Sequence, residues 1–420
     1  MQAIVFSVST VLASAWIVWS NSGGLLLLVN LALLAWLALQ LLRWMTPQRA
    51  VHPQSLLRAL VLSLPLAWYG LKALTEPLAQ AAMRHFYEIT GAVLPGLAMG
   101  LLAAVALRRL RQAGPGEQHA LARLLVLDTL AVAGVAAFLL SFSREGMLLI
   151  EAALLEGAAA YQTVGDALMI NLLLVHALSR TLDQRSGVGA LAAEPGRSPW
   201  LQMLALPALV LATLVCAVLV GSNKLLLGSA VVGGAVLWGP GRGRRWRIGL
   251  SAAAVIAAVG AMLFGPWSEL AADLMALTRL FDYGAVDSVI DTPSVASRLD
   301  LLAACAAHQF ALAPLVGDLA AEYRTCGEGE YLHSLLSIQT HLGLVGSLLF
   351  GMLLVVGAIE IWSRPAHRPL RMTYLLVIGL CAVGTFFTWM PLWYLIGLIL
   401  FLDGSPVQRV AAASVSSAQT

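Results

Sequence analysis

The chain has too little charge to be an ordinary soluble protein. Only 11% of its 420 residues are Asp, Glu, Lys or Arg, whereas 60% are hydrophobic and the mean hydropathy is +0.84. Soluble domains have about a quarter charged residues. The composition therefore predicts a polytopic membrane protein, in which the formal charge of +3 matters less than where the charges lie.

Several motif classes are also missing. The four cysteines form no Cys-x-x-Cys pair, which argues against a zinc site. No Gly-rich phosphate loop follows a predicted strand, so we expect neither nucleic acid nor a soluble cofactor. The loops assigned below to the outer face contain no Asp-x-Asp or similar carboxylate cluster, so we expect no metal ion.

Twelve apolar runs predict helices that cross about 30 Å of hydrocarbon. They lie at 3–19, 24–42, 57–73, 91–107, 124–141, 162–179, 201–220, 225–239, 248–266, 334–358, 372–388 and 391–402. We therefore predict an all-α fold in three parts. Residues 1–266 contain helices one to nine with short loops, 267–333 form one long outer loop, and 334–420 contain helices ten to twelve and a cytoplasmic tail.

One further apolar stretch, 146–161, is interrupted by Glu151 and Glu156. Counting it as a span would move the later arginine clusters to the other face of the membrane. We interpret it as an interfacial or re-entrant helix on the outer face, which is tolerated where protein or water surrounds it. An ordinary packing helix is the alternative.

Basic residues are unequally distributed between the alternating loops. With a cytoplasmic N-terminus, 18 of the 25 face the cytoplasm, namely Arg43, Arg49, Arg58, Arg108, Arg109, Arg111, Arg123, Arg180, Arg185, Arg197, Arg242, Arg244, Arg245, Arg247, Arg364, Arg368, Arg371 and Arg409. Short cytoplasmic loops collect Lys and Arg, so we predict both termini on that side. No basic residue precedes the first helix, which we interpret as a retained span in an inner membrane.

The outer loop at 267–333 differs from the other connections in length and charge. It contains ten acidic residues against Arg279, Arg298 and Arg324, and long structured loops of this kind often carry function. Cys305 and Cys326 both lie in it. In an oxidising compartment they form either a disulfide or two buried thiols.

Motifs around the tenth helix resemble those of bacterial O-antigen ligases and the related O-antigen polymerases. His333-Ser334 is followed after eight residues by Gly343-x-x-Gly346, where the family typically has nine. Pro314-Leu315-Val316-Gly317 resembles the Pro-Leu-hydrophobic-Gly turn of the family, although Leu319 stands where a second glycine is common. Ser143-Arg144 and Ser297-Arg298 resemble its arginine segments.

The resemblance implies a glycosyltransferase of the bacterial inner membrane with a periplasmic active site. Its donor would be undecaprenyl pyrophosphate-linked O-antigen, and its acceptor a sugar hydroxyl of lipid A-core oligosaccharide in lipopolysaccharide biosynthesis. Transfer would invert the anomeric carbon and need no metal or cofactor. Membrane lipids would surround the protein.

The chemistry of this transfer suits the residues that the resemblance names. Negative charge develops on the departing pyrophosphate, and the bidentate guanidinium groups of Arg144 and Arg298 are suited to stabilise it. His333 can accept the proton of the acceptor hydroxyl. Glu328 and Glu330 are alternative bases or partners of that histidine.

The remaining outward basic residues and Ser334 are candidates for substrate binding. The basic residues are Lys72, Arg84, Lys224, Arg279 and Arg324. For Arg84 we slightly prefer a side chain that faces water, and for Arg298 an ion pair with Asp300 is an alternative. His341 lies about 12 Å deeper along the helix, where we expect a packing or bridging role.

Two other functions fit parts of the pattern. An O-antigen polymerase would use the same donor with a second lipid-linked repeat as acceptor. Polymerases of the better-known type have glycine at a fixed spacing after two outer arginines, where this chain has Leu155 and Gln309. A transporter could use the intramembrane Asp128 and Asp166, but the chain has no internal repeat of the kind transporters show.

Overall fold

The computed structural model describes residues 53–112, 168–169, 172–173, 176, 207, 209–214, 217, 223–238, 293–327, 334–384 and 387–402. All regular secondary structure among these residues is helical, which confirms the predicted all-α class for this part of the chain. The described residues divide between two compact units, with boundaries after Gln112 and after Leu299.

Nine α-helices are described in chain order. They are α1 Pro53–Thr75, α2 Ala79–Glu88, α3 Leu94–Gln112, α4 Asn223–Trp238, α5 Pro293–Leu312, α6 Ala321–Thr325, α7 Leu336–Ser363, α8 Arg371–Gly384 and α9 Met390–Phe401. A π-helical turn, Ile89–Val93, joins α2 to α3, and a 3₁₀ turn, Pro365–Leu370, precedes α8.

Six of the predicted apolar runs coincide with described helices, namely those at 57–73, 91–107, 225–239, 334–358, 372–388 and 391–402. Helix α7 has 28 residues and is interrupted at Gly343; residues 344–363, which follow the interruption, rise about 30 Å at 1.5 Å per residue. It is the one described helix that is long and apolar enough to cross a membrane. The runs at 3–19, 24–42, 124–141 and 248–266 lie outside the described residues, as does 146–161. The count of twelve spans therefore stays a prediction.

Helices α1 and α7 pack antiparallel, with polar contacts at both ends. Arg58, near the start of α1, pairs with Glu360 near the end of α7 at 2.8 Å, and both side chains are largely buried. Toward the opposite end, the indole N–H of Trp68 donates to the carbonyl of Leu342 at 3.0 Å. The arginine predicted to be cytoplasmic and the residues predicted to be outward thus lie at opposite ends of this helix pair.

Helices α3 and α9 pack closely because glycines line their contact. A Cβ at Gly96 would lie 2.8 Å from the carbonyl oxygen of Met390, and one at Gly397 would lie 2.6 Å from that of Leu97. A Cβ at Gly100 would lie closer still to the backbone of Tyr394. Small residues spaced in this way let helix backbones approach in membrane proteins.

The 267–333 segment, predicted to be an outer loop, contains two of the described helices. Helix α5 occupies 20 of its residues, and α6 adds one short turn. Cys305 on α5 and Cys326 after α6 form a disulfide, with their Cα atoms 6.1 Å apart. Of the two alternatives for this cysteine pair, the disulfide is the one that the structure contains.

In the compact unit that contains residues 113–299, the longest described element is α4. Ser229 of this helix donates a hydrogen bond to the hydroxyl oxygen of Thr213 at 3.2 Å, and both side chains are buried. This contact bridges two apolar segments with a polar pair.

Candidate functional site

Two glycines with left-handed backbone conformations cross near the N-terminal end of α7. Gly317 has φ +73°, and Gly343 has φ +67° and ψ −169°, a region that is essentially restricted to glycine. A Cβ on either residue would overlap backbone atoms of the other segment. This crossing, which we call the glycine junction, therefore requires glycine at both positions.

Backbone hydrogen bonds hold the glycine junction together. The N–H groups of Leu344 and Val345 donate to the carbonyls of Pro314 and Leu315 at 2.9 and 3.1 Å. In the opposite sense, the N–H of Asp318 donates to the carbonyl of Thr340 at 2.9 Å. Gly343 interrupts the regular dihedrals of α7, and the adjacent N–H groups pair with the 314–317 turn.

Basic side chains anchor the turn that follows the glycine junction. The ammonium group of Lys72 donates to the carbonyl of Gly317 at 2.8 Å. Arg324 pairs with Asp318 at 3.0 Å and with Glu76 at 3.4 Å, although this arginine is 45% exposed. Exposed ion pairs each contribute little stability. The hydrogen bond from Lys72 to the carbonyl of Gly317 is therefore the contact that restrains the backbone of this turn more directly.

A buried polar cluster lies beside this turn, where α1 and α2 meet. The hydroxyl of Tyr69 donates to Glu88 Oε2 at 3.0 Å and lies 2.8 Å from His85 Nδ1. His85 Nδ1 is also 3.0 Å from Glu88 Oε2, and His85 Nε2 is 3.1 Å from the carbonyl of Leu319. Because a carbonyl can only accept, Nε2 carries a proton and donates to the outer loop.

Arg84 extends this cluster to α6. Its guanidinium group pairs with Glu322, which is fully buried, and lies 3.3 Å from Glu88. Burial alone would raise the pKa of the Glu88 carboxyl, but the hydrogen bond and charge of His85 and the charge of Arg84 together lower it below its usual value. The expectation that Arg84 faces water is wrong, because a buried carboxylate needs a cation beside it.

His341 packs against this cluster from α7. Its ring lies edge-on to that of His85, with centroids 5.3 Å apart, and 6.4 Å from the ring of Phe387. His341 Nδ1 lies 2.8 Å from the carbonyl of Ser337. The side chain is buried, in agreement with the packing role expected for it.

Ser334 shapes the start of α7. Its hydroxyl oxygen accepts a hydrogen bond from the N–H of Leu336 at 3.2 Å, and its carbonyl accepts two from Ser337, at 3.0 Å from N–H and 2.7 Å from Oγ. The side chain proposed for substrate binding therefore also stabilises a turn.

The structure brings some of the sequence-predicted site residues together. Lys72, Arg84 and Arg324 all contact the 313–327 segment. Arg298 lies on α5, with its side chain outside the described set, and Lys224 lies on α4; both belong to the compact unit that contains residues 113–299. Arg144, Arg279, Glu328, Glu330 and His333 lie outside the described residues.

Sequence reasoning missed the centre of the buried cluster. Tyr69, His85, Glu88 and Glu322 were not singled out as candidates. A usable signal existed, because His85 and Glu88 are three residues apart on a short helix and so share one face. Nothing in the sequence indicated that Glu322 would meet Arg84.

Within the described ranges, no group of three or more His, Cys, Asp or Glu side chains is placed to hold a metal ion. The chain matches no protein-family model and no curated protein. The resemblance to O-antigen ligases therefore depends on the motifs and on their arrangement.

Proposed function

We propose that the protein is an O-antigen ligase of the bacterial inner membrane. The observation that carries the proposal is the glycine junction, in which two motif segments of the resemblance, Pro314–Gly317 and Gly343–Gly346, pair through their backbones. Two short motifs are weak signals when separate. Their direct contact supports a shared role, because the two backbones pack so closely that neither Gly317 nor Gly343 leaves room for a Cβ.

The reaction is transfer of a glycan from undecaprenyl pyrophosphate to a hydroxyl of lipid A-core oligosaccharide. The acceptor oxygen forms a new bond to the anomeric carbon as the bond to pyrophosphate breaks, with inversion. His333 takes the proton of the hydroxyl, and Arg144 and Arg298 stabilise the departing pyrophosphate. His333 directly precedes Ser334, the residue that turns the chain into α7.

Two of the ten acidic residues in the 267–333 segment have basic partners within the protein. Asp318 and Glu322 pair with Arg324 and Arg84 of the protein itself. These carboxylates are therefore neutralised locally. Arg144 and Arg298, which the resemblance names, remain the first candidates for the pyrophosphate.

The proposed topology has about twelve spans, cytoplasmic termini and a periplasmic 267–333 segment. Helix α1 supports this arrangement, because Arg58 lies at one end beside Glu360 and Lys72 lies at the other end beside the outer turn. Positive residues at the Arg58 end include Arg364, which also pairs with Glu360. A cytoplasmic location of that end agrees with the positive-inside rule.

Reconstitution with defined substrates tests the proposal. Purified protein in lipid is mixed with lipid-linked glycan and lipid A-core, without nucleotide or metal, and the products are separated on a gel. We expect transfer by the wild type and a loss of about 10² to 10⁴ in rate for His333→Ala. His308→Ala, which replaces an exposed histidine on α5, is the matched control and should behave as wild type.

Two outcomes would overturn the proposed function, and a third would overturn the proposed role of His333. A glycan ladder formed without lipid A-core would indicate a polymerase. Accumulation of substrate in sealed vesicles without a new glycosidic bond would indicate a transporter. Wild-type rates in His333→Ala would remove this histidine as the base, even if transfer itself occurs.

Arginine geometry gives an independent test of the leaving-group role. Arg298→Lys keeps the charge but removes bidentate contact, which is worth roughly 1.5 to 3 kcal/mol for a charged hydrogen bond. We therefore expect a loss of about ten- to a hundredfold in transfer at an unchanged protein level. Full activity of this variant would exclude a bidentate role.

A further inference from the structure

Helix α2 exposes an apolar face. Met83, Phe86 and Tyr87 are 52%, 50% and 63% exposed. At 100° per residue these three side chains lie on one side of the helix, with the exposed Ala79 and Gln80 on the same side. We call Met83, Phe86 and Tyr87 the outward apolar face.

The ionisable residues of α2 lie away from this face. His85 is 1% exposed, while Arg84 and Glu88 are 26% and 19% exposed at their side chains. They contact α1 and the outer loop through Tyr69 and Glu322. A helix that faces water has the reverse pattern, with charges outward and large apolar side chains inward.

The surface that adjoins the outward apolar face indicates what covers it. Helix α1 exposes a row of leucines along one side, which are Leu57, Leu60, Leu64, Leu71 and Leu74. Leu78, in the link between α1 and α2, is also exposed and continues this row toward α2. The row spans about 26 Å from first to last residue, close to the hydrocarbon thickness of a bilayer.

The residue types of the face agree with a position at the end of that row. Phenylalanine, methionine and leucine prefer hydrocarbon, while tyrosine is enriched where hydrocarbon meets lipid headgroups. Tyr87 is the most exposed of the three. A short helix that directly follows α1, with an apolar side turned outward beside the row of leucines, suits the interface plane rather than water.

We infer that α2 is an interfacial membrane helix whose outward apolar face is immersed in lipid of the outer leaflet. The opposite side of α2 contacts Leu319 and Glu322, so it holds the outer turn at the level of the membrane surface. The pyrophosphate of a lipid-linked donor would lie at that depth. The choice of the outer leaflet and this last step depend on the proposed function, whereas the lipid contact does not.

Site-directed spin labelling tests the lipid contact without any activity assay. Single cysteines replace Met83, Phe86 or Tyr87, one at a time, in a background that lacks Cys216 and Cys381 but keeps the native disulfide. Each labelled protein is placed in nanodiscs of phosphatidylethanolamine and phosphatidylglycerol. The accessibility of each spin label is then measured with two paramagnetic relaxing agents, oxygen, which concentrates in the bilayer, and a nickel complex that is soluble in water.

Two exposed positions serve as matched controls. Leu348 is 65% exposed on α7, the helix long enough to span the bilayer, and a label there should report oxygen. Arg368, exposed in the turn before α8, should report nickel. The inference predicts that labels at 83, 86 and 87 favour oxygen, as Leu348 does, with the strongest effect at 86 and 83.

Two results would overturn the inference. Greater access of nickel than oxygen at all three positions would mean that the face lies in water. Low access of both agents, together with dipolar broadening between labels, would mean that a second copy of the chain covers it. Because the three positions are exposed and independent, failure of one variant to fold leaves two that decide the question.

Discussion

Replacing Gly343 by alanine should destabilise the protein far more than the same replacement at Gly351, eight residues further along α7. Gly343 has φ +67° and ψ −169°, where a residue with a Cβ costs roughly 1 to 3 kcal/mol. The new methyl group would also overlap the backbone of Leu315 and Gly317. Backbone cannot yield as a flexible side chain can, so the two segments must separate.

Separation would weaken the hydrogen bonds across the glycine junction. Three backbone bonds join the segments, and each contributes about 0.5 to 1.5 kcal/mol. Loss of two of them adds about 1 to 3 kcal/mol to the conformational term. We therefore expect Gly343→Ala to lower the free energy of unfolding by about 2 to 6 kcal/mol, a large share of the 5 to 15 kcal/mol typical of folded proteins.

Gly351→Ala is the matched control on the same helix. A Cβ at Gly351 meets no atom within 4 Å, and the residue is helical, so alanine should be neutral or stabilising by about 0.5 to 1 kcal/mol. Denaturant unfolding in detergent, followed by tryptophan fluorescence, measures both variants. Equal midpoints for the two variants would refute the reasoning.

Two further predictions concern charge and helix packing. Glu88→Gln should be less stable than the wild type at neutral pH, because the lowered pKa of Glu88 means that its carboxylate stabilises the fold. This contribution is complete above pH 4.5 and is lost as the pH falls through the lower pKa of the folded state. The unfolding curves of the two proteins should therefore converge in acid. A difference that stays constant down to acid pH would contradict this. Gly100→Leu should separate α3 from α9 and lower the melting temperature of the protein. Gly379→Leu, at a position with open space, should leave the melting temperature unchanged. Equal melting temperatures for the two variants would mean that the close approach of the helices at Gly100 is unimportant.

The disulfide gives the outer loop a second constraint beside the glycine junction. Cys305 and Cys326 are separated by 21 residues, and closing a loop of about that size contributes roughly 3 kcal/mol in the chain-entropy account. The closed loop contains Gly317 and Leu319, which receive hydrogen bonds from Lys72 and His85. Covalent and polar contacts thus restrain the same turn.

Sequence alone predicted the all-α class, which the described residues confirm, and it located several of their helices. Hydrophobic length and the scarcity of charge are local properties, so the apolar runs at 57–73 and 334–358 could be located without a fold. The Gly-x-x-Gly motif was also visible. The structural role of this motif could not be seen in the sequence, because Gly343 packs against the 314–317 turn, which lies elsewhere in the chain.

Tertiary structure decided the contacts that build the candidate site. Arg84 and Glu322 are 238 residues apart, and Lys72 and Gly317 are 245 residues apart. Periodicity carries no information about such pairs, since either cation could equally have faced water. Whether they pair depends on which helix faces pack together, and burial of Glu322 then makes a cation beside it necessary. The sequence determined that Arg84 and Lys72 are present, and the packing of the helices determined that they contact Glu322 and the carbonyl of Gly317.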